Sequence, residues 1–212
     1  MIPIFLAGEG ATELGGWVRP RPFRSERPER GVLEALVEKC WPTGCEVVDA
    51  IRWKDIRKFR SGDRRAPETR NVVGAALSAR EVGRRLGLED LPLVFSRDRD
   101  RDLDRDARIE AGIKKAEELG YVVAGGVAAP NIEAWVIACE GRTGSEVVRD
   151  PKGDLAERGI TSTAEKVAVI DRVEIDALPS DASSLRRWCG RVRALGDASR
   201  QRDRGTHGLV PA

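Results

Sequence analysis

A single histidine, His207, stands in 212 residues, and the four cysteines, Cys40, Cys45, Cys139 and Cys189, include no CxxC pair. Structural zinc needs clustered Cys and His ligands, so that class of site is excluded. Covalent catalysis by cysteine or histidine has equally little to rest on, and His207 is given no role. Long apolar runs are also missing. None approaches the roughly 18 residues that a membrane span requires, and no basic region precedes the short hydrophobic stretch after Met1. A soluble, cytoplasmic protein with no membrane partner is expected. Its cysteines are then expected as reduced core thiols, with a Cys40–Cys45 disulfide as the alternative. An excess of one charge is absent too, with 37 basic side chains against 35 acidic ones. Whatever chemistry the chain performs is left to its carboxylates.

What is present is an alternation of strand and helix signals. Apolar residues make up 41% of the chain, enough for one sizeable domain with or without an appendage. Strands are predicted over 2–7, 46–53, 91–96 and 121–127, the third with the unbroken apolar character of a strand buried on both faces. Between them, Leu33, Leu36, Val37 and Cys40 recur at helical spacing, and 67–86 reads as a helix closed by Gly87. Ile109, Ile113 and Ala116 mark the next helix, and Ile132, Trp135, Val136 and Cys139 another, opened by the N-cap residue Asn131. The order βαβαβαβα predicts an α/β fold with a central parallel four-stranded sheet flanked by helices. Residues 1–141 are assigned to that domain. Residues 142–195 form a helical C-terminal extension packed on it, with a Ser162/Glu165 capping box and an inner face of Leu185, Trp188, Cys189, Val192 and Leu195. Residues 196–212 show no periodicity and are expected to be a disordered tail.

Charge is distributed unevenly. From Arg52 to Arg70 eight basic residues face three acids, with Trp53 and Phe59 among them. Arg52, Lys54, Arg57, Lys58, Arg60, Arg64 and Arg65 suit a phosphate backbone; a solvated arginine-rich face is the equal alternative.

The third predicted strand runs into "FSRDRDRDLDRD", where Asp98, Asp100, Asp102, Asp104 and Asp106 alternate with other residues. In an extended backbone Asp98 and Asp100 would share a face. Two like charges so close favour a hard divalent cation between them. An EF-hand loop counted from Asp98 fails, because Leu103 and Ile109 occupy its glycine and glutamate positions. A self-neutralising arginine–aspartate loop without metal stays open. The first strand ends in "GEGATE", presenting Glu9 and then Glu13 at the same predicted sheet edge. Parallel sheets gather functional groups there. Gly8 and Gly10 are expected to let backbone and ion approach closely.

With these elements placed, the chain resembles the Rossmann-like TOPRIM fold, the catalytic domain of topoisomerases, bacterial primases and OLD-type nucleases. That pattern is a glutamate after the first strand, here Glu9, and an Asp-x-Asp after the third, here Asp98 and Asp100. "GEGATE", the aspartates and "PNIEAWVIA" in that order are similar to small stand-alone TOPRIM proteins of bacterial defence loci, as are Lys166-Val167 and Ser183 to Arg187. The resemblance covers roughly 1–195, and the long basic loop after Glu13 has no counterpart in the minimal fold. It implies Mg²⁺- or Mn²⁺-dependent phosphodiester hydrolysis on DNA or RNA, in antiphage or mobile-element defence. Asp98 and Asp100 would hold metal, Glu9 would be a further ligand or general base, and Glu13 would support a second ion. Glu133 completes the acidic cluster or simply favours a helix N-terminus. Lys166 stabilises charge on a scissile phosphate or is an exposed helical lysine. The resemblance also implies a neighbouring ABC-type ATPase as partner, and in a second reading the chain is that ATPase's non-catalytic or latent regulatory subunit. A homo-oligomer is left open.

Overall fold

Ile4 and Leu6 turn to one side of the first strand, Phe5 and Ala7 to the other, and all four are buried. A strand apolar on both faces has to lie inside a sheet covered on both sides, and the computed structural model places it there. The structure describes residues 1–19, 23–41, 44–56, 67–88 and 90–206, of 199–206 the backbone alone. The strands β1 (Ile2–Gly8), β2 (Cys45–Arg52), β3 (Leu93–Asp98) and β4 (Val123–Ala128) form one parallel sheet in the order β2-β1-β3-β4. The helices are α1 (Ala11–Leu14), α2 (Val32–Cys40), α3 (Pro67–Arg85), α4 (Arg105–Glu118), α5 (Ile132–Cys139), α6 (Pro151–Glu157), α7 (Thr163–Asp171) and α8 (Ser183–Thr206).

The two sheet faces carry separate cores. Phe5, Leu93 and Phe95 meet the apolar sides of α3 and α4, including Val72, Ala76, Ile109 and Ile113. Ile4, Leu6 and Val94 meet α2, α5, α7 and α8 on the opposite face. Three buried tryptophans fill that second layer, and Trp135 and Trp188 lie with ring centroids 5.5 Å apart. The indole N–H groups of this pair are satisfied, Trp135 donating to Ser184 Oγ at 2.8 Å and Trp188 to the Phe95 carbonyl at 2.8 Å, whereas that of Trp41 has no partner among the described residues. Among the described residues no helix is long and apolar enough to cross a membrane. All four cysteines are free thiols, so the alternative Cys40–Cys45 bridge is not formed.

The sheet differs from expectation at its ends. β3 starts two residues later than predicted and runs on through Arg97 and Asp98, because both still pair with β4, opposite Val127 and Ala128. β4 is displaced likewise, beginning at Val123. The last helix does not stop at 195: its backbone continues to Thr206, into the segment expected to be a tail.

Gly125 is required by packing. A Cβ built there would lie 2.3 Å from the Phe95 ring, inside any tolerable contact, whereas one at Gly10 would meet nothing within 4 Å. No described part of the protein itself therefore requires glycine at Gly10. Gly125→Ala should lower unfolding free energy by about 1–3 kcal/mol, and Gly10→Ala should leave it nearly unchanged. Paired urea denaturation curves check this; equal midpoints for the two variants would contradict the packing argument.

Candidate functional site

Sheet order decides where a site can form. The chain leaves β1 for β2 on one side and then crosses to β3 on the other, so the carboxyl ends of β1 and β3 flank a switch point. Crevices at such points are where open α/β sheets bind ligands. Glu9 follows β1 and Asp98 ends β3, and the two strand ends are tied together: Glu9 Oε1 accepts the backbone N–H of Asp98 at 3.1 Å. Glu9 also pairs with the Arg97 guanidinium.

Glu13 arrives through a local device. Its carboxylate reaches back to accept the Gly10 N–H at 3.0 Å, closing the turn that opens α1. Gly8 makes that approach possible, since a Cβ there would lie 2.9 Å from the Glu13 Cβ. Glu13 ends 4% exposed, and burial, with Glu133 adding to it, raises its pKa above the ordinary carboxylate range.

Glu133 occupies the first turn of α5, after Asn131 caps the helix by accepting the Ala134 N–H. Of its two expected roles, position at a helix start is met, but the carboxylate is also buried and pairs with Lys166 Nζ at 3.0 Å. Lys166 is 3% exposed, so the reading of an exposed helical lysine is overturned. It comes from α7 on the second apolar layer, whose packing carries the ammonium inward.

Asp98 stands among these groups. Its Oδ1 accepts the Ile132 N–H at 2.8 Å, at the start of α5. Burial pushes its pKa up to about 8, with the negative charges of Glu13, Glu133 and Asp100 acting in the same direction and the Ile132 N–H against them. No arginine pairs with the Asp98 carboxylate among the described residues.

The rest of the aspartate run behaves differently. Asp100 does not share an extended face with Asp98, because β3 ends at Asp98 and Asp100 turns into a left-handed conformation at φ 51°. Its carboxylate is half exposed and pairs with Arg105 at 2.6 Å. Arg99 holds Asp106 at 2.8 Å and Arg108 holds Asp102, whose pKa falls as a result. The self-neutralising reading thus describes Asp100, Asp102 and Asp106, and stops short of Asp98.

Sequence reasoning missed Glu68. It is buried at the start of α3 and accepts from Trp53 Nε1 at 2.9 Å and Arg97 Nε at 3.3 Å, with Arg105 Nε a further 3.3 Å ion-pair partner. Its only sequence signal was an acid directly after Pro67 at a predicted helix start. Of the expected basic surface, Arg52 pairs with Asp55 at 2.5 Å and Lys54 is exposed. Arg57, Lys58, Arg60, Arg64 and Arg65 lie outside the described residues.

The donor set of Glu13, Asp98 and Glu133 is all oxygen and crowded with like charge, which suits a hard divalent cation in chemistry. Among the described residues no three such side chains lie close enough together to be grouped around one ion.

Two outcomes follow from the charge balance. Between about pH 4, where an unfolded aspartate ionises, and pH 8, the folded protein keeps the Asp98 proton that the unfolded chain has lost. Stability therefore falls as pH rises through that window and levels above it. Asp98→Asn should lessen that fall, gaining roughly 2–4 kcal/mol over wild type at pH 9 and little at pH 4, as urea unfolding at both pH values will read. Lys166→Met, by contrast, leaves buried carboxylates without their ammonium and should cost about 3–5 kcal/mol. Adding Glu133→Gln should recover much of the loss; a double variant as unstable as the single one would contradict the pairing.

No protein-family model matches the chain, and comparison with curated proteins and with solved structures likewise finds no match.

Proposed function

We propose that the chain is a Mg²⁺- or Mn²⁺-dependent phosphodiesterase acting on DNA or RNA, built on a Rossmann-like sheet of the TOPRIM kind. The observation that carries this reading is that Glu13, Asp98 and Glu133, from three separate parts of the fold, are buried near enough to the switch point between β1 and β3 for Glu13 and Glu133 to raise the pKa of Asp98, while Glu9 accepts the Asp98 N–H. Carboxylates buried, and crowded as well, until one of them keeps its proton near pH 8 are costly to a protein that does not use them, and a cation offsets that cost.

Asp98 would bind the ion, and Glu13 and Glu133, which are not grouped with it around one point in this structure, would have to draw in to complete its ligands; when bound, the ion would supply a water of lowered pKa and positive charge against the phosphate. Asp98 is oriented for this by the Ile132 N–H on Oδ1, leaving Oδ2 for the ligand. Glu13 is fixed by the Gly10 N–H. Glu9, less buried than Glu13, is placed to accept a proton once Arg97 yields it. Lys166 balances charge through Glu133 rather than touching the phosphate directly. Asp100, turned toward Arg105, serves the loop more than the ion. Arg52 and Lys54 begin the basic surface that would follow the substrate backbone.

One observation favours a second reading, a latent or regulatory subunit acting with an ABC-type ATPase in a defence complex. Glu9 is engaged by Arg97 and by the Asp98 N–H at once, so a partner would be needed to release it.

Purified protein incubated with supercoiled plasmid, single-stranded DNA and RNA in Mn²⁺ or Mg²⁺ tests the catalytic reading. Cleavage is expected, falling at least 100-fold in Asp98→Asn and Glu13→Gln. If wild type cuts none of these substrates, or the variants cut as well, the assignment fails; cleavage appearing only after addition of the ATPase supports the second reading.

A further inference from the structure

We infer that Glu68 is a positioning residue for the carboxylate site, acting on both strand ends through two arginines; this rests on the metal-dependent reading above. Glu68 belongs to neither strand end. It lies at the start of α3, 7% exposed, anchored by the Trp53 indole N–H on Oε2. Its other oxygen, Oε1, receives Arg97 Nε and stands 3.3 Å from Arg105 Nε.

Each arginine then reaches a different part of the site. Arg97 passes from Glu68 to Glu9, which in turn accepts the Asp98 N–H. Arg105 donates to the Asp98 carbonyl at 2.5 Å and pairs with the Asp100 carboxylate at 2.6 Å. One buried carboxylate thereby hydrogen-bonds one guanidinium and ion-pairs with a second, and the two hold the end of β1 and the turn after β3. Arginine is suited to this because its rigid planar fork can bond two carboxylates at once.

Two guanidinium groups so close repel, and burial, with Arg105 adding to it, lowers the pKa of Arg97. Glu68 is the charge that lets them share the space. Without it, Arg97 would lose one of its two carboxylates and Glu9 would no longer be set against the Asp98 N–H. Trp53 adds a stacking surface, with the Arg97 guanidinium 5.9 Å from its ring centroid.

Glu68→Gln keeps the size of the side chain and an acceptor for Trp53 while removing the charge. Calorimetric titration with Mn²⁺ alone should show a loss of affinity of tenfold or more in this variant. In Arg97→Met, which cuts one of the two paths, the loss should be no larger than this, and the double variant should lose no more than Glu68→Gln alone, because the Arg97 path is then cut twice. The ¹⁵N spectrum adds a signature: the Arg97 Nε–H resonance of wild type should move in Glu68→Gln. Should Glu68→Gln fail to fold, Arg97→Lys carries the test, since it keeps the charge but cannot bridge both carboxylates, and the same tenfold loss is expected. Trp53→Phe, which removes only the anchor bond, should stay within twofold of wild type. If wild type binds Mn²⁺ and Glu68→Gln binds it within twofold, or the double variant is additive, the positioning role is overturned. If wild type binds no Mn²⁺, the metal-dependent reading itself is overturned and this inference falls with it.

Discussion

Burying like charges near one another is the constraint on which this structure turns. Glu13, Asp98 and Glu133 influence one another across the carboxyl edge of the sheet, and Lys166 is the ammonium brought in among them. Each arrives on a rigid part of the fold: a capped turn, a strand end, the first turn of a helix and the buried side of another helix. Relaxing the repulsion by moving one of them away would mean moving the element that carries it. The neighbouring aspartates show the alternative, for they turn outward and find arginines.

The fold was largely legible because its signals are local. Unbroken apolar strands, helical spacing and the Asn131 and Ser162 caps lead to a parallel sheet without knowledge of any contact. Strand ends were less so. Asp98 belongs to β3 because of its pairing with Ala128, which no local pattern announces. The persistence of the last helix to Thr206 was hidden likewise by a polar stretch with little apolar periodicity.

At the site, residue type was readable and partnership was not. A glutamate between two glycines at a strand end, and an aspartate at another, were sufficient to suggest convergence. What the alternating Arg-Asp run concealed is how it divides: Asp98 stays with the acids, while Asp100 departs at a single left-handed residue. Lys166 looked like a surface residue because lysine is seldom fully buried, yet it lies on the side of α7 that packs inward. Glu68 was invisible because its three partners come from Trp53, Arg97 and Arg105, separated widely along the chain.

Gly8 makes one position answer to another, and in one direction only. Its missing side chain is the room into which the Glu13 Cβ fits, at 2.9 Å from where a substituent would stand, with Leu14 at 3.2 Å. A larger residue at 8 would displace the glutamate, whereas any residue that replaces the glutamate and carries a Cβ still needs the glycine. Gly8 should therefore outlast Glu13 among descendants of this chain, and its loss, more than its presence, would mark a site that has come apart.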